Sequence, residues 1–119
     1  MFKVIIAGSR TFDDYKLLCD YVDYKLSKID EQIEIVSGGA RGADALGERY
    51  AHDKGYSLHV FPADWDYYGK RAGYLRNIQM AEYADALLAF WDGKSKGTKH
   101  MIDEAKARNL KIGVKIYKC

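Results

Sequence analysis

Two runs of the sequence are apolar at every position, and they limit the possible folds more than any other feature. Residues 4–7 read Val-Ile-Ile-Ala, and residues 86–91 read Ala-Leu-Leu-Ala-Phe-Trp. A strand with one face in water alternates apolar and polar side chains, whereas a strand covered on both faces is apolar throughout. We therefore expect two central strands of a parallel sheet with helices on both of its faces.

Three further segments have the composition of strands, at residues 33–36, 58–61 and 111–117. In the last of them apolar side chains alternate with Lys111, Gly113 and Lys115, a pattern typical of an edge strand that must not pair with another chain. Steps of three and four between apolar residues predict helices between the strands. We expect these helices after a cap at Thr11 and at residues 43–54, 71–82 and 98–109, with an irregular stretch before the third one.

This alternation of strands and helices predicts an α/β three-layer sandwich. Right-handed crossovers between parallel strands leave few topologies to consider. We expect about five strands in the order 3-2-1-4-5, with the switch point of the sheet between the first and fourth strands. The whole chain, residues 1–119, has the length of one domain.

The net charge, the cysteines and the histidines restrict which partners, cofactors and cellular compartment we expect. A formal net charge of +2 is too small to predict a membrane or nucleic-acid partner. Cys19 and Cys119 have no ligand-like or disulfide-framework spacing, and no segment reaches the length of a membrane span, so we expect a cytoplasmic protein. His52, His59 and His100 share no metal-ligating pattern, and we expect neither a metal nor a cofactor.

Glycines, hydroxyl groups and arginines collect in the loops that follow the predicted strands. Gly8-Ser9-Arg10 follows the first strand, residues 37–44 (SGGARGAD) follow the second, and residues 92–98 (DGKSKGT) follow the fourth. In an open parallel sheet, ligands bind beyond the carboxyl ends of the strands at the switch point. Glycine permits close backbone approach, and N–H groups at a helix start favour anions. These loops therefore predict a site for a phosphate-bearing ligand.

Individual side chains can be given roles in such a site. Arg10 and Arg41 suit a phosphate, and Asp44 or Asp64 suits the hydroxyl groups of a ribose. A structural alternative is that Arg41 forms an ion pair with Asp44 and that the glycines only serve the turn. The residues expected to contact the ligand are Gly8, Ser9, Arg10, Ser37, Gly38, Gly39, Arg41, Gly42, Asp44, Asp64, Trp65, Arg76, Asn77, Asp92, Gly97 and Thr98.

Aromatic side chains cluster between the third strand and the third helix. Trp65, Tyr67, Tyr68 and Tyr74 can stack on a nucleobase. They can equally cover the edge of the sheet or form a contact between two copies of the chain. We expect a homo-oligomer, whichever role these residues have. The sequence leaves these alternatives open.

The motifs GSRTF, SGGARGAD, PADW, AGYLRNIQM and ADALLAFWDGKSKGT, in this order, resemble the YspA-type branch of the SLOG superfamily. The resemblance implies a Rossmann-like sheet whose loops after the first, second and fourth strands hold nucleotide-derived ligands. It further implies a protein that senses or sequesters such a ligand, for example an ADP-ribose or cyclic-nucleotide derivative, in conflicts between phages and bacteria.

Two other activities occur among relatives of this superfamily. The LOG phosphoribohydrolases carry a PGGxGT motif followed by a catalytic glutamate, whereas here Lys99 and His100 follow Gly97-Thr98 and no proline precedes the loop. This departure argues against hydrolysis. The alternative is an enzyme that hydrolyses an N-glycosidic or a phosphate bond of a nucleotide. It would need another carboxylate near the scissile bond, and Asp44, Glu48 and Asp64 are the candidates. The SGGARGAD turn also resembles that of DprA, which makes single-stranded nucleic-acid binding a third alternative.

Overall fold

The computed structural model describes residues 1–117, which form one five-stranded parallel sheet between two layers of helices. The strand order is β3-β2-β1-β4-β5, which confirms the predicted fold class and order. The strands are β1 (Phe2–Gly8), β2 (Ile33–Ser37), β3 (Ser57–Val60), β4 (Ala86–Trp91) and β5 (Lys111–Ile116).

The helices divide into two layers that bury opposite faces of the sheet. Neighbouring residues of β1 show this division, because Ile6 packs in one hydrophobic cluster and Ile5 packs in the other. The first cluster contains residues of α1 and α2, and the second contains residues of α4 and α5. The helices are α1 (Tyr15–Leu26), α2 (Ala43–Lys54), α3 (Trp65–Tyr68), α4 (Ala72–Tyr83) and α5 (Lys96–Ala107), with a 3₁₀ turn at Gly69–Arg71 between α3 and α4.

Side-chain caps move two helix starts away from the predicted positions. The prediction that Thr11 caps the first helix is wrong, because α1 begins at Tyr15 and the Asp14 carboxylate accepts a hydrogen bond from the Leu17 N–H at 3.0 Å. The helix α5 begins two residues earlier than predicted, because Ser95 Oγ accepts from the Thr98 N–H at 3.3 Å. A capping side chain satisfies an N–H group that has no acceptor within the helix.

The stretch before α4 was predicted to be irregular, and this prediction is wrong because the stretch contains the short helix α3. The Asp64 carboxylate caps this short helix by accepting from the Tyr67 N–H at 3.1 Å. Within residues 1–117 no helix is long and apolar enough to cross a bilayer.

The sheet brings the carboxyl ends of β1 and β4 together. Both strands are central and parallel, and Gly8 at the end of β1 pairs with Phe90 near the end of β4. The loops that follow these two strands lead to opposite layers, because α1 and α5 lie on opposite faces. A crevice therefore opens between the loops at the predicted switch point.

Candidate functional site

A cavity of about 420 Å³ lies at the switch point, beyond the ends of β1 and β4. Small-molecule sites in proteins measure about 300–1,000 Å³, so this one has the size of a ligand site. We call it the larger lobe. Its lining comes from the loops after β1 and β4, from the starts of α2 and α5, and from α3, the 3₁₀ turn and α4. It includes Gly8, Ser9, Arg10, Asp44, Trp65, Lys70, Tyr74, Arg76, Asn77, Asp92, Ser95, Gly97 and Thr98.

A second cavity, of about 290 Å³, lies beside the first, and we call it the smaller lobe. It is formed mainly by the glycine loop after β2, including Arg41, and by Pro62 and Ala63 after β3. The two lobes share the lining residues Arg10, Ala40, Trp65 and Arg76. Of the SGGARGAD segment, Gly38, Gly39 and Arg41 line the smaller lobe, Asp44 lines the larger one, and Ala40 lines both.

Glycine allows the loops around the larger lobe to pack backbone against backbone. A Cβ atom on Gly42, whose φ is +77°, would lie 2.5 Å from the Ser9 carbonyl oxygen. A Cβ atom on Gly8 would lie 2.2 Å from the Phe90 carbonyl oxygen. Both distances are shorter than a van der Waals contact, so any other residue at either position would push the loops apart. Gly42 was predicted to contact the ligand, but it lines neither lobe and holds the loops after β1 and β2 together.

Asp44 places a buried carboxylate in the wall of the larger lobe. Its side chain is only 5% exposed, and it accepts a hydrogen bond from the Ala40 N–H at 3.2 Å. Burial raises the pKa of Asp44 to about 6, although the nearby Arg76 guanidinium and the Ala40 N–H partly oppose the rise. The carboxyl group therefore titrates close to neutral pH.

Arg76 connects α4 to the glycine loop after β2. Its guanidinium donates to the Gly38 carbonyl oxygen through Nη1 and to Asn77 Oδ1 through Nε, the latter at 3.2 Å. Burial lowers the pKa of Arg76, the negative charge of Asp44 opposes this decrease, and the positive charge of Arg10 adds to it. The effect of Arg10 indicates that the two guanidinium groups are close enough to interact. A Cβ atom on Gly38 would lie 2.5 Å from Arg76 Nη1, so glycine is needed for this contact.

Two buried polar side chains join the remaining loops. Asn77 Nδ2 donates to the Gly97 carbonyl oxygen at 3.2 Å, which connects α4 to the start of α5. Ser9 Oγ accepts from the Asp92 N–H at 3.2 Å, which connects the loop after β1 to the loop after β4. Both residues line the larger lobe. The lobe is therefore built by hydrogen bonds between segments that are far apart in the sequence.

Asp92 organises the loop after β4. Its Oδ1 atom accepts from the N–H groups of Lys94 and Ser95, both at 2.8 Å. These backbone hydrogen bonds lower the pKa of Asp92. The larger lobe is therefore lined by two carboxylates whose pKa values differ from that of an ordinary aspartate in opposite directions. The pKa of Asp44 is raised and that of Asp92 is lowered.

Three other residues predicted for the site line neither lobe, and they are Ser37, Glu48 and Asp64. The Ser37 hydroxyl donates to Glu48 Oε2 at 2.7 Å, so these two side chains satisfy each other behind the glycine loop. The Asp64 carboxylate is the cap of α3 and is not placed to take a ribose hydroxyl in either lobe. Of the three carboxylates considered for hydrolysis, the structure brings only Asp44 to the wall of a lobe.

The aromatic side chains separate into two groups. Trp65 lines both lobes, is 49% exposed, and lies with its ring centre 6.0 Å from the Arg10 guanidinium carbon. Tyr74 lines the larger lobe and packs against His100. Tyr67 and Tyr68 line neither lobe and pack against each other. Stacking on a ligand within the lobes is thus open to Trp65 and Tyr74.

Sequence reasoning did not include Lys70 and Ser95, which also line the larger lobe. Ser95 had a readable signal, because serine before a helical segment is a common cap. Lys70 had none, because its place on the 3₁₀ turn depends on how the chain crosses from α3 to α4. Among the described residues 1–117 there is no group of three or more His, Cys, Asp and Glu side chains placed to hold a metal ion.

Comparisons with known proteins agree with this architecture. Residues 2–68 match the model of the YspA, cpYpsA-related SLOG family. The chain is 37% identical over 118 residues to the Gene 61 protein of Mycobacterium phage D29, with 94% of each chain covered.

Two solved structures share the fold at low sequence identity. DNA processing protein A (DprA) from Streptococcus pneumoniae superposes with a TM-score of 0.74 at 17% identity, over 96% of this chain and 50% of that one. The structural genomics target TM1055 superposes with a TM-score of 0.68 at 19% identity, over 94% of this chain and 72% of that one. The chain thus spans about half the length of the DprA structure.

Proposed function

This chain belongs to the YspA, cpYpsA-related SLOG family, as its motifs predicted, and we propose that it binds a nucleotide-derived small ligand in the larger lobe. The observation that carries the proposal is the meeting of Arg10, Arg76 and the start of α5 around one cavity at the switch point. Parallel α/β sheets bind ligands at this position.

The phosphate of the ligand is proposed to lie between the arginines and the start of α5. The first N–H groups of a helix have no acceptor within the helix, and the helix dipole favours an anion there. A Cβ atom on Gly97 would meet no atom within 4 Å, so the backbone of the first turn is open to a ligand. Arginine adds paired donors that match the geometry of phosphate oxygens.

The remaining lining residues suit a nucleoside. Asp92 can accept hydrogen bonds from ribose hydroxyls, since its lowered pKa keeps it ionised. The exposed face of Trp65 or Tyr74 can stack on a base. Met80 and Met101, which are both buried, add apolar side chains to the lining of the lobe. These features support an ADP-ribose or cyclic-nucleotide derivative as the ligand.

We further propose that the protein senses or sequesters this ligand. The similarity to a phage protein supports a role in conflicts between phages and bacteria. A binding role needs no reacting group, which agrees with Lys99 and His100 standing where LOG enzymes have acidic residues.

Calorimetric titration of the wild-type protein with AMP, cyclic AMP, ADP-ribose and a single-stranded oligonucleotide tests the proposal. At least one of the three small nucleotides should bind, and Arg10→Ala should weaken this binding by about 1.5–3 kcal/mol, or roughly ten- to a hundredfold. Lys28→Ala is the charge-matched control, because Lys28 is exposed and lines neither lobe. Binding of the oligonucleotide alone, or of no ligand to a folded protein, would refute the proposal.

One observation favours a second candidate function, the hydrolysis of an N-glycosidic bond. Asp44 lines the larger lobe with a pKa of about 6, so part of it is protonated near neutral pH and can donate a proton to a leaving base. We expect little release of adenine from AMP, measured by chromatography after long incubation. Rapid release that Asp44→Asn abolishes would make hydrolysis the main activity.

A further inference from the structure

The two lobes meet at a wall that carries two arginines, Arg10 and Arg76, and the ring of Trp65. We propose, building on the nucleotide-binding function above, that the ligand has two parts joined by a diphosphate. The nucleoside occupies the larger lobe, the diphosphate lies along the shared wall, and a second sugar-like group occupies the smaller lobe.

The placement of the charges around the lobes suits two phosphates better than one. The cationic lining residues are Arg10, Arg41, Lys70 and Arg76, and the acidic ones are Asp44 and Asp92. Four cations against two carboxylates leave a positive excess, and the partial protonation of Asp44 increases it. A terminal monophosphate carries a charge of about −1.5 to −2 near pH 7, whereas a diphosphate linkage has a similar total charge divided over two phosphates. The presence of two separate arginines, rather than the total charge, therefore favours the linkage. The two arginines at the shared wall can therefore each hold one phosphate.

The smaller lobe has the character of a binding space for a polar group. Gly38 and Gly39 belong to its lining, and Arg76 holds this part of the loop in place by donating to the Gly38 carbonyl oxygen. Gly39 has a φ of +75°, which few residues other than glycine adopt. The N–H groups of Gly39 and Ala40 also fix this loop, because they donate to Ser37 Oγ at 3.1 Å and to Asp44 Oδ2 at 3.2 Å. The carbonyl oxygens of Gly39 and Ala40 are left to accept from the hydroxyls of a sugar. Arg41 adds a charged side chain at the same space.

Size distinguishes this ligand from a mononucleotide. The larger lobe, at about 420 Å³, lies within the usual range for a small-molecule site by itself. A mononucleotide or a cyclic mononucleotide would fill this lobe and leave the smaller one, of about 290 Å³, without an occupant. A diphosphate that carries a second sugar reaches both lobes.

Calorimetric titration with AMP, ADP and ADP-ribose separates the contributions of the two lobes. ADP-ribose should bind about tenfold or more tightly than AMP, with ADP between them, since tenfold corresponds to about 1.4 kcal/mol. Arg41→Ala should reduce the affinity for ADP-ribose by about tenfold and the affinity for AMP by much less. Lys28→Ala, a remote cation variant, should change neither affinity.

The opposite results identify which proposal fails. If AMP, ADP and ADP-ribose bind equally and Arg41→Ala lowers none of the affinities, the ligand does not have two parts, while nucleotide binding in the larger lobe stands. If ADP and ADP-ribose bind equally but more tightly than AMP, the second group in the smaller lobe is refuted. If none of the three binds to the folded protein, nucleotide binding itself is refuted.

Discussion

Two glycine-containing loops border the larger lobe, and their glycines serve different purposes. In the loop between β2 and α2, a Cβ atom on Gly38 would lie 2.5 Å from Arg76 Nη1, and one on Gly42 would lie 2.5 Å from the Ser9 carbonyl oxygen. In the loop between β4 and α5, a Cβ atom on Gly93 or at the helix start on Gly97 would meet no atom within 4 Å. The first loop is tightly packed and the second is open.

This difference shows why glycine content alone is a weak guide to a binding site. In the first loop glycine allows three segments of the protein to come together, and the ligand space results from that packing. In the second loop glycine leaves the first turn of α5 uncovered. Substitutions of Gly38 or Gly42 in the first loop should therefore act mainly on stability, and substitution of Gly97 in the second should act mainly on ligand binding.

The largest effect is expected for Gly42→Ala. A residue with a Cβ atom at a φ of +77° is strained, which costs about 1–2 kcal/mol, and crowding against the backbone of Ser9 adds about 1–3 kcal/mol. Urea unfolding should show a loss of about 2–5 kcal/mol in the free energy of unfolding. A loss below about 0.5 kcal/mol, the usual size of a surface change, would show that the first loop is not tightly packed.

The next effect concerns Asp44, the buried carboxylate at the end of the first loop. Burial raises its pKa from 3.8 to about 6, so the folded state binds a proton more tightly than the unfolded state does. Between these pH values the contribution of Asp44 to stability falls as the pH rises, and it is lost as the pH passes through about 6. The difference between the two pKa values corresponds to a change of about 3 kcal/mol in the free energy of unfolding.

Asp44→Asn should therefore be more stable than the wild type at pH 7 by up to about 3 kcal/mol, and close to it at pH 4. Denaturant unfolding of both proteins at both pH values measures this change. The contrary result is that Asp44→Asn is less stable than the wild type at pH 7 and loses this disadvantage at pH 4. It would mean that Arg76 stabilises the ionised carboxylate more than burial disfavours it.

Asp92, the carboxylate at the start of the second loop, should behave in the opposite way. Its pKa is lowered by the N–H groups of Ser95 and Lys94, so its stabilising contribution is present at neutral pH and disappears as the pH falls through its lowered pKa. Asp92→Asn should therefore be less stable than the wild type at pH 7, with the difference shrinking in acid. Equal pH profiles for the Asp44 and Asp92 variants would contradict the contrast between the loops.

The smallest effect on stability is expected for Gly97→Ala. The added methyl group meets no atom within 4 Å, and alanine is the better helix former, so stability should rise by about 0.5 kcal/mol. The affinity for the nucleotide should fall, because Gly97 lines the larger lobe. Thermal melting and calorimetric titration of the same variant measure both changes. If Gly97→Ala lowers the stability or leaves the affinity unchanged, the start of α5 is not open to the ligand as we describe it.

The fold was predictable because its strongest signals are local. The apolar runs at residues 4–7 and 86–91 predicted central parallel strands, and their position in the chain then limited the strand order. The region of the site was predictable for the same reason, because the rule on strand ends needs only the order of the strands.

The use of individual polar side chains in the site was less predictable. Ser37 and Asp64 have the chemistry of ligand contacts, but one bonds to Glu48 and the other caps α3. Either role depends on where the next helix begins, and Thr11, Asp13 and Asp14 illustrate how several neighbouring residues can compete for one cap. The division of the site into two lobes depends on the contact of Arg76 with Gly38, which no sequence pattern indicates.

The central claim is that both loops contact one nucleotide-derived ligand, and backbone amide NMR during titration with ADP-ribose tests it most directly. We predict that the largest chemical-shift changes occur at residues 8–10, 38–41 and 92–98, while the amides of α1 stay unchanged. Changes concentrated in β5 and around Tyr67 and Tyr68, with the two loops unaffected, would contradict the claim.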